Sequence, residues 1–250
     1  METKLASELT KVAKMEDNQS VILTDETGGT TRIGLEELKK SILGNMDLSA
    51  MSDGVFIMYH GKSNDTPYMV KPEKWSALQT SGEKAEGVVV VDGGKMLVVA
   101  PTEAPTSLLW SSAEVDGGNV IEWDRKKALG DWNGSSVAAI QAVKPECAAE
   151  IYAPGFCAKY SRVNANGKGL DAGKWWLPSE GELMCMFANM KKINYALSFI
   201  NNSMPLAETY YWSSSEYSVS GAWYLGLGSG SASGGTKAKT KCRVRAVSAF

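Results

Sequence analysis

Four cysteines and a single histidine are the residues of this 250-residue chain best suited to covalent or metal chemistry. They are Cys147, Cys157, Cys185, Cys242 and His60. A zinc site needs several Cys, His or carboxylate ligands, usually including a closely spaced pair. No C-x-x-C pair occurs, and one histidine cannot complete the set. A general base must stand within hydrogen-bond reach of its partner, and no carboxylate or nucleophile is evident beside His60. His60 therefore reads as a surface residue at a strand end. The cysteines read as free thiols, although a pair such as Cys147 and Cys157 would be able to close outside a reducing compartment. The expectation is no catalytic residue, no metal and no cofactor.

Recognition is the other chemistry available, and the stretch from Tyr211 to Phe250 has the composition for it. Its ends are aromatic, apolar and charged, while Ser218 to Thr240 is mostly Gly, Ser, Ala and Thr. So few large side chains build little core, but they leave a surface free to change. In Trp223-Tyr224-Leu225-Gly226-Leu227-Gly228 the large apolar residues alternate. A strand of period two then buries Trp223, Leu225 and Leu227 and turns Tyr224, Gly226 and Gly228 outward. Further on, Cys242, Val244 and Ala246 share one face, with Arg243 and Arg245 on the other. Ser229 to Thr240 reads as a loop turning at Gly234-Gly235. On pattern alone, such a loop connects two strands and needs no function.

The elements that position this stretch come earlier. Residues 1–46 read as a small separate unit: a strand at Val21–Thr24, a turn at Asp25–Gly29, a strand at Thr30–Ile33, and a helix through Leu35, Leu38 and Ile42. Forty-odd residues make a marginal core alone, which points to docking or oligomerisation. Residues 47–84 read as a connector with a strand at Val55–Tyr59, a polar loop at Lys62–Pro67 and a linker at Ser76–Lys84. The main domain is expected from residue 85, opening with a hairpin of two apolar runs around Asp92-Gly93-Gly94. Leu108–Trp110 reads as a short strand and Asp116-Gly117-Gly118 as a turn. A helix is expected over Asp124–Trp132, capped by Asp124, with a second over Val137–Val143. Ala153-Pro154-Gly155 reads as a turn and Asn164–Gly173 as a polar loop. Ser179 and Glu182 form an S-x-x-E capping box. Leu183, Met186, Phe187 and Met190 then give the stripe of a helix from Glu180 to about Asn189.

The charge balance is 26 basic against 28 acidic residues, a net −2. Nucleic acid and anionic membranes call for a basic face, so neither is expected as the main partner. No apolar run reaches the ~18 residues of a membrane span. The mixed-charge N-terminus lacks the apolar core of a secretory signal. Synthesis and folding in a cytosol are expected unless a leader was removed.

Two resemblances add to this reading. The polar strand, turn and strand followed by T-x-x-I-x-x-x-x-L-K resembles N-terminal segments of phage tail fibre and collar proteins, which implies attachment to a tail or baseplate. The second rests on Trp176-Leu177-Pro178-Ser179, Trp212-Ser213-Ser214-Ser215-Glu216-Tyr217, Ala222-Trp223 and Arg243-Val244-Arg245-Ala246-Val247. In that order they resemble C-type-lectin-fold proteins of gut bacteria and their phages, and more narrowly the variable proteins of diversity-generating retroelements. The resemblance covers about Glu86–Phe250. It implies an α+β C-type lectin fold of small antiparallel sheets with two helices.

It also implies a C-terminal segment rewritten at template adenines. The rewritten, ligand-contacting positions would be Ser218, Val219, Ser220, Gly221, Tyr224, Gly226, Gly228, Ser229, Ser231, Ser233, Gly234, Gly235, Thr236, Ala238 and Thr240. The fixed support would be Trp212, Glu216, Tyr217, Trp223, Arg243 and Arg245. The implied partner is a cell-surface protein or glycan receptor. The implied setting is a phage virion, with the bacterial cytoplasm or surface as the alternative, and the fibre-like N-terminus suggests a homotrimer. Calcium-dependent lectins use Glu-Pro-Asn or Gln-Pro-Asp with Trp-Asn-Asp. Here only Asp131-Trp132-Asn133 occurs, in another order, so no calcium-dependent sugar site is expected. Two other readings remain at this point. One is an invariant fibre or surface subunit; the other is an enzyme of the formylglycine-generating type, whose paired cysteines or metal find no counterpart in Cys185 and Cys242.

Overall fold

A computed structural model describes residues 20–24, 30–34, 53–62, 66–121 and 123–249. The chain divides into two compact units, Met1–Met51 and Ser52–Phe250. In the first, β1 (Ser20–Thr24) and β2 (Thr30–Gly34) pair antiparallel, with Ser20 opposite Gly34 and Thr24 opposite Thr30. The expected turn at Asp25–Gly29 and the helix through Leu35, Leu38 and Ile42 lie outside the described residues.

The second unit is α+β. Its largest sheet has five antiparallel strands, built on β3 (Gly54–His60), β4 (Pro67–Val70), β5 (Gly87–Asp92), β6 (Lys95–Val99) and β14 (Val247–Ser248), in the order β14-β6-β5-β3-β4. Four consecutive valines make β5 a strand, because β-branched side chains suit the pleat. Val88, Val89 and Val90 are fully buried. Asp92 pairs with Lys95 around Gly93 (φ 55°) and Gly94 (φ 75°), the left-handed pair that a tight hairpin requires. The boundary expected at residue 85 is not where the units divide. Strand β3 lies between β4 and β5, pairing Phe56 with Val89, so both described strands of the 47–84 connector belong to the main sheet. The expected linker from Ser76 is mostly helix: α1 spans Pro72–Thr80 and seats Trp75, fully buried, beside Tyr59 at 5.5 Å. Pro72 opens it in a position where no backbone N–H is needed.

Three short helices follow: α2 (Arg125–Leu129), α3 (Gly134–Val143) and α4 (Ala153–Lys159). Asp124 caps α2, its Oδ1 accepting from Lys126 N at 2.9 Å and Lys127 N at 3.1 Å. The expected turn at Ala153-Pro154-Gly155 is the first turn of α4, where Pro154 is tolerated for the same reason as Pro72. The polar loop at Asn164–Gly173 includes half of a small hairpin, β8 (Arg162–Val163) with β9 (Gly169–Leu170).

Then come α5 (Glu180–Ala188) and α6 (Met190–Leu197). The capping box forms, with Glu182 Oε2 accepting from Ser179 N at 2.7 Å. The apolar stripe does not run on as one helix. It breaks at Asn189, whose side chain donates to Cys185 O at 3.1 Å and to Asp92 Oδ2 at 2.7 Å. The core sits on these two helices. Leu183, Met186, Ile193, Ala196 and Leu197 pack with Val88, Val90, Leu97 and Val99 of the large sheet. The same cluster takes Tyr211, Trp223, Leu225, Leu227 and Ala232 from a second sheet. Each such large apolar side chain buried from water contributes about 1.5–3 kcal/mol.

That second sheet holds the C-terminal stretch. It is three antiparallel strands, β10 (Tyr210–Ser218), β11 (Gly221–Gly226) and β12 (Ser231–Thr236), in that order. A two-stranded pair, β7 (Leu108–Leu109) with β13 (Lys241–Cys242), closes the C-terminal side.

Candidate ligand-binding face

The expected alternation holds in β11: Trp223 and Leu225 are fully buried and Leu227 is 1% exposed. They lie on the helix-facing side with Tyr211 and Ala232, as the register Tyr211–Leu225–Ala232 requires. The expected loop after Ser229 is not all loop. Only Leu227–Gly230 turns, with Gly230 at φ 70°. Ser231–Thr236 is strand β12, and Gly234 and Gly235 stand opposite Trp223 and Ala222 rather than in a turn. Ser-Ala-Ser-Gly-Gly-Thr has poor strand propensity. What keeps it extended is pairing along β11, with two aromatic rings laid over Gly234 and the Thr240 side chain against Gly235.

Neighbouring side chains, rings for three of them, explain four of the glycines. A Cβ at Gly221 would lie 2.0 Å from Tyr217 Cζ, and one at Gly226 would lie 3.1 Å from Tyr210 Cε1. A Cβ at Gly234 would lie 2.5 Å from both Trp123 Cζ3 and Tyr217 Cε1. One at Gly235 would lie 2.9 Å from the Thr240 side chain. Gly221, Gly226 and Gly235 are buried, which corrects the expectation that they face outward. They are seats for neighbouring side chains.

The open positions are distributed differently. Val219 (49% exposed), Gly228, Ser229 and Ser231 are exposed, and Ser218, Ser220, Tyr224, Ser233, Gly234, Thr236, Ala238 and Thr240 are half-buried. Ser218 Oγ and Ser220 Oγ share a hydrogen bond of 3.2 Å. Tyr224 does turn away from the core. It meets Trp212 edge-on at 5.8 Å and Tyr210 at 5.0 Å, and Tyr210 is 52% exposed. Trp212 is itself fully buried, its Nε1 donating to Leu108 O at 2.9 Å.

A second aromatic group lies on the helix-facing side at the sheet's rim. Trp123 is 61% exposed and stacks on buried Trp223 at 4.6 Å and 17°. It meets Tyr217 edge-on at 4.7 Å. The sequence reading missed Trp123, which sits alone just before α2 with no periodic neighbour to place it. Tyr210 was missed as well, though its position two residues before Trp212 puts it on the Tyr224 side.

Beneath the turn between β10 and β11 lies a buried ion pair. Glu216 and Lys237 are both fully buried and bonded to each other through Oε2 and Nζ. Glu216 also accepts from Gly117 N at 2.8 Å and Asn119 N at 3.0 Å. Lys237 Nζ also donates to the carbonyls of Val115 at 2.6 Å, Val219 at 3.0 Å and Ser218 at 3.3 Å, and lies 4.5 Å from the Trp110 ring. Burial pulls the Lys237 ammonium below its ordinary value, and the Glu216 carboxylate opposes that. Three separate stretches, 115–119, 216–219 and 237, are thus tied at one point. Lys237, in the middle of the small-residue tract, is not replaceable surface.

The arginines depart from the alternation. Arg243 is half-buried as expected of a rim position, and its Nη1 bonds Glu103 Oε1. Arg245 is fully buried, not outward. Its guanidinium donates to Ala100 O at 3.0 Å, Met204 O at 2.9 Å, Pro205 O at 3.2 Å and Glu103 Oε2 at 3.2 Å. Glu103 also accepts from the buried Tyr211 hydroxyl at 2.7 Å. The expected strand ends at Cys242: residues 244–246 run between β13 and β14 outside any strand and are all buried, so the period of two does not apply to them.

Ser213, Ser214, Ser215 and α5 enclose a group of carboxyls. Asp131 Oδ2 accepts from Asn119 Nδ2 at 2.7 Å and from the Ser215 hydroxyl, and Oδ1 accepts from Asn133 N at 2.9 Å. Glu180 is fully buried with both carboxyl oxygens unpartnered. Burial raises it to about 8, with the Asp131 charge adding and the Ser213 hydroxyl offsetting part. Glu182 is raised to about 7, again chiefly by burial. Asp131 thus spends its oxygens internally, and among the described residues no group of three or more His, Cys, Asp or Glu could hold a metal. EDTA is accordingly expected to leave the melting temperature within about 1 °C, since removing a bound ion would lower it.

All four cysteines are free and buried, Cys147 and Cys157 included. Burial pushes Cys147 and Cys185 up to about 11, Cys242 to about 12, and Cys157 well up. They are held as thiols, and a thiol is a poor nucleophile. His60 departs from the reading of an unpartnered surface residue: its ring Nδ1 is 2.7 Å from Glu86 Oε1, which also accepts from His60 N at 2.6 Å. Glu86 lies 26 residues on, invisible to a local scan. Among the described residues, no helix is long and apolar enough to cross a membrane.

No protein-family model matches this chain. No curated protein matches it significantly. Among solved structures, a fimbrial protein from Bacteroides ovatus is similar at a TM-score of 0.43 and 14% identity. The alignment covers 93% of this chain and 49% of that protein, so this chain spans about half its length. A likeness at that level assigns no function here.

Proposed function

We propose that this protein is a non-catalytic receptor-binding protein whose C-terminal sheet displays a replaceable surface. One observation carries the reading. The β10–β12 sheet is held from beneath by Trp223, Leu225, Leu227 and Ala232 and at its end by Glu216–Lys237, while Tyr210, Tyr224, Val219, Ser229, Ser231 and Ser233 remain wholly or partly open on it and Trp123 is open at its helix-facing rim. A rigid seat lowers the ordering cost of binding, and exposed Tyr and Trp are common anchors. The sequence from Ser218 to Thr236 carries no charge, so the face suits a neutral epitope on a cell-surface protein or glycan better than a polyanion.

The finer reading rests on the sequence resemblance: a C-type lectin fold diversified by a retroelement, attached to a phage tail through residues 1–46 as a homotrimer. The protonated thiols favour binding over catalysis. Sequencing the codons for residues 211–250 across natural isolates tests it. Variation at adenine-derived codons, those of Ser218–Ser220, Tyr224, Ser229, Ser231, Ser233 and Gly234 among them, with Lys237 and Trp223 fixed, is the expected result. An invariant stretch would leave a plain structural subunit.

Tyr224→Ala provides a direct check on the face. Its ring is half-buried and its edge contacts are worth about 0.5–1.5 kcal/mol each, so a loss of about 1–2 kcal/mol in chemical denaturation is expected. Attachment to host cells should fall far more than that. A loss above about 3 kcal/mol would instead make Tyr224 a core residue.

A further inference from the structure

We infer that residue 234 is a specificity-determining position at the helix-facing rim of this sheet and that it acts through Trp123, a residue more than a hundred positions earlier. The inference rests on the reading of the sheet as a binding surface and adds a second, fixed contributor to it. Gly234 is not glycine for the sake of its backbone: it is absent from the residues with left-handed φ, and it stands in regular register opposite Trp223. It is glycine for space. The smallest side chain there would place its Cβ 2.5 Å from Trp123 Cζ3 and 2.5 Å from Tyr217 Cε1. Neither ring can stay where it is.

Both rings have somewhere to go. Trp123 is 61% exposed and Tyr217 half-buried, so a clash is relieved by swinging them outward rather than by opening the core. Trp223, beneath, is fully buried and in no position to move. With glycine at 234, Trp123 lies flat on Trp223, 4.6 Å away, and presents a preorganised apolar plate at the rim. With any other residue at 234 the plate is released and the ligand must reorder it. Substitution at one small position thus changes the surface twice, by its own side chain and by a large aromatic that is not in the C-terminal stretch at all. Gly221 does the same on a smaller scale under the Tyr217 ring, 2.0 Å from its Cζ.

The test uses the full chain with 5-fluorotryptophan at its eight tryptophans. Trp123→Phe assigns the Trp123 fluorine resonance. Gly234→Ala is expected to shift that resonance toward the position of free fluoroindole and leave those of buried Trp75 and Trp175 in place, which also reports an intact fold. An unmoved Trp123 resonance overturns the inference. A second arm reads recognition, with peptides selected on the wild-type protein from a random dodecapeptide phage library as the probe. Gly234→Ala and Trp123→Ser are each expected to weaken them about tenfold, the double variant no more than either alone. Additive losses, or a loss with Gly234→Ala but none with Trp123→Ser, overturn the coupling. A library that yields no binder contradicts the binding reading itself, whereas a displaced ring with undiminished peptide binding contradicts only the role of residue 234.

Discussion

Lys237→Met is expected to destabilise the protein by about 3–5 kcal/mol, the range for breaking a buried ion pair from one side. The substitution leaves the Glu216 carboxylate fully buried with only the Gly117 and Asn119 amides to stabilise it. It also leaves the carbonyls of Val115, Ser218 and Val219 without their shared donor. Glu216→Gln should cost about as much, because the ammonium is then enclosed with no counter-charge. Replacing both with apolar residues should cost less than the sum, since no lone charge remains buried. In a domain of this size each kcal/mol moves the melting temperature by about 2–4 °C, so the single variants should melt roughly 10 °C lower. Calorimetry decides it: a single variant within about 1 kcal/mol of wild type would mean that the pair does not hold the turn.

The second large effect is a dependence of stability on pH that runs opposite to ordinary acid denaturation. Glu180 keeps its proton in the folded state up to about 8, against an ordinary 4.5, because burial penalises its charge by more than the Ser213 hydroxyl offsets, and the Asp131 charge adds to the penalty. Below 4.5 both states hold the proton and folding is unaffected by it. Between 4.5 and about 8 the unfolded chain releases the proton and the folded one does not, so stability falls as pH rises. At ~1.4 kcal/mol per pH unit, the total is on the order of 5 kcal/mol. Glu182, raised to about 7, adds in the lower part of the same window. Asp171 and Glu73, held below the usual carboxylate range by hydrogen bonds, act at lower pH and do not cancel it. Urea unfolding of wild type and Glu180→Gln through this range is the check. The amide should be the more stable of the two at the alkaline end and should show a shallower slope. Equal slopes would place the Glu180 carboxyl in contact with water.

Much of the frame was legible because it is written in local patterns. The Asp92-Gly93-Gly94 turn, the Ser179–Glu182 capping box and the Trp223, Leu225, Leu227 alternation each involve neighbours a few residues apart, and each forms. What was illegible depends on partners far away in sequence. Strand β12 has no strand-like composition and exists because β11 pairs with it and neighbouring side chains cover its glycines. Arg245 alternates correctly with Val244 and Ala246, yet carbonyls from 100, 204 and 205 close over it. Lys237 looks like a solvated lysine in a polar tract until Glu216 and Trp110 are placed around it. Trp123 has no pattern at all. Of the fifteen positions that the resemblance implies are rewritten, Gly221, Gly226 and Gly235 are taken by neighbouring side chains, and alternation alone placed Gly226 outward. A surface read by alternation alone therefore overstates what is open.

The central claim is that the C-terminal sheet separates a fixed seat from a replaceable face. A saturation scan of residues 210–242, with protease resistance as the readout of folding, tests that most directly. Ser218, Val219, Ser220, Tyr224, Ser229, Ser231 and Ser233 should accept most residues with little loss, while Trp223, Leu225, Ala232, Glu216 and Lys237 accept almost none. Depletion at the first group as deep as at the second would contradict the claim, because the face would then be core.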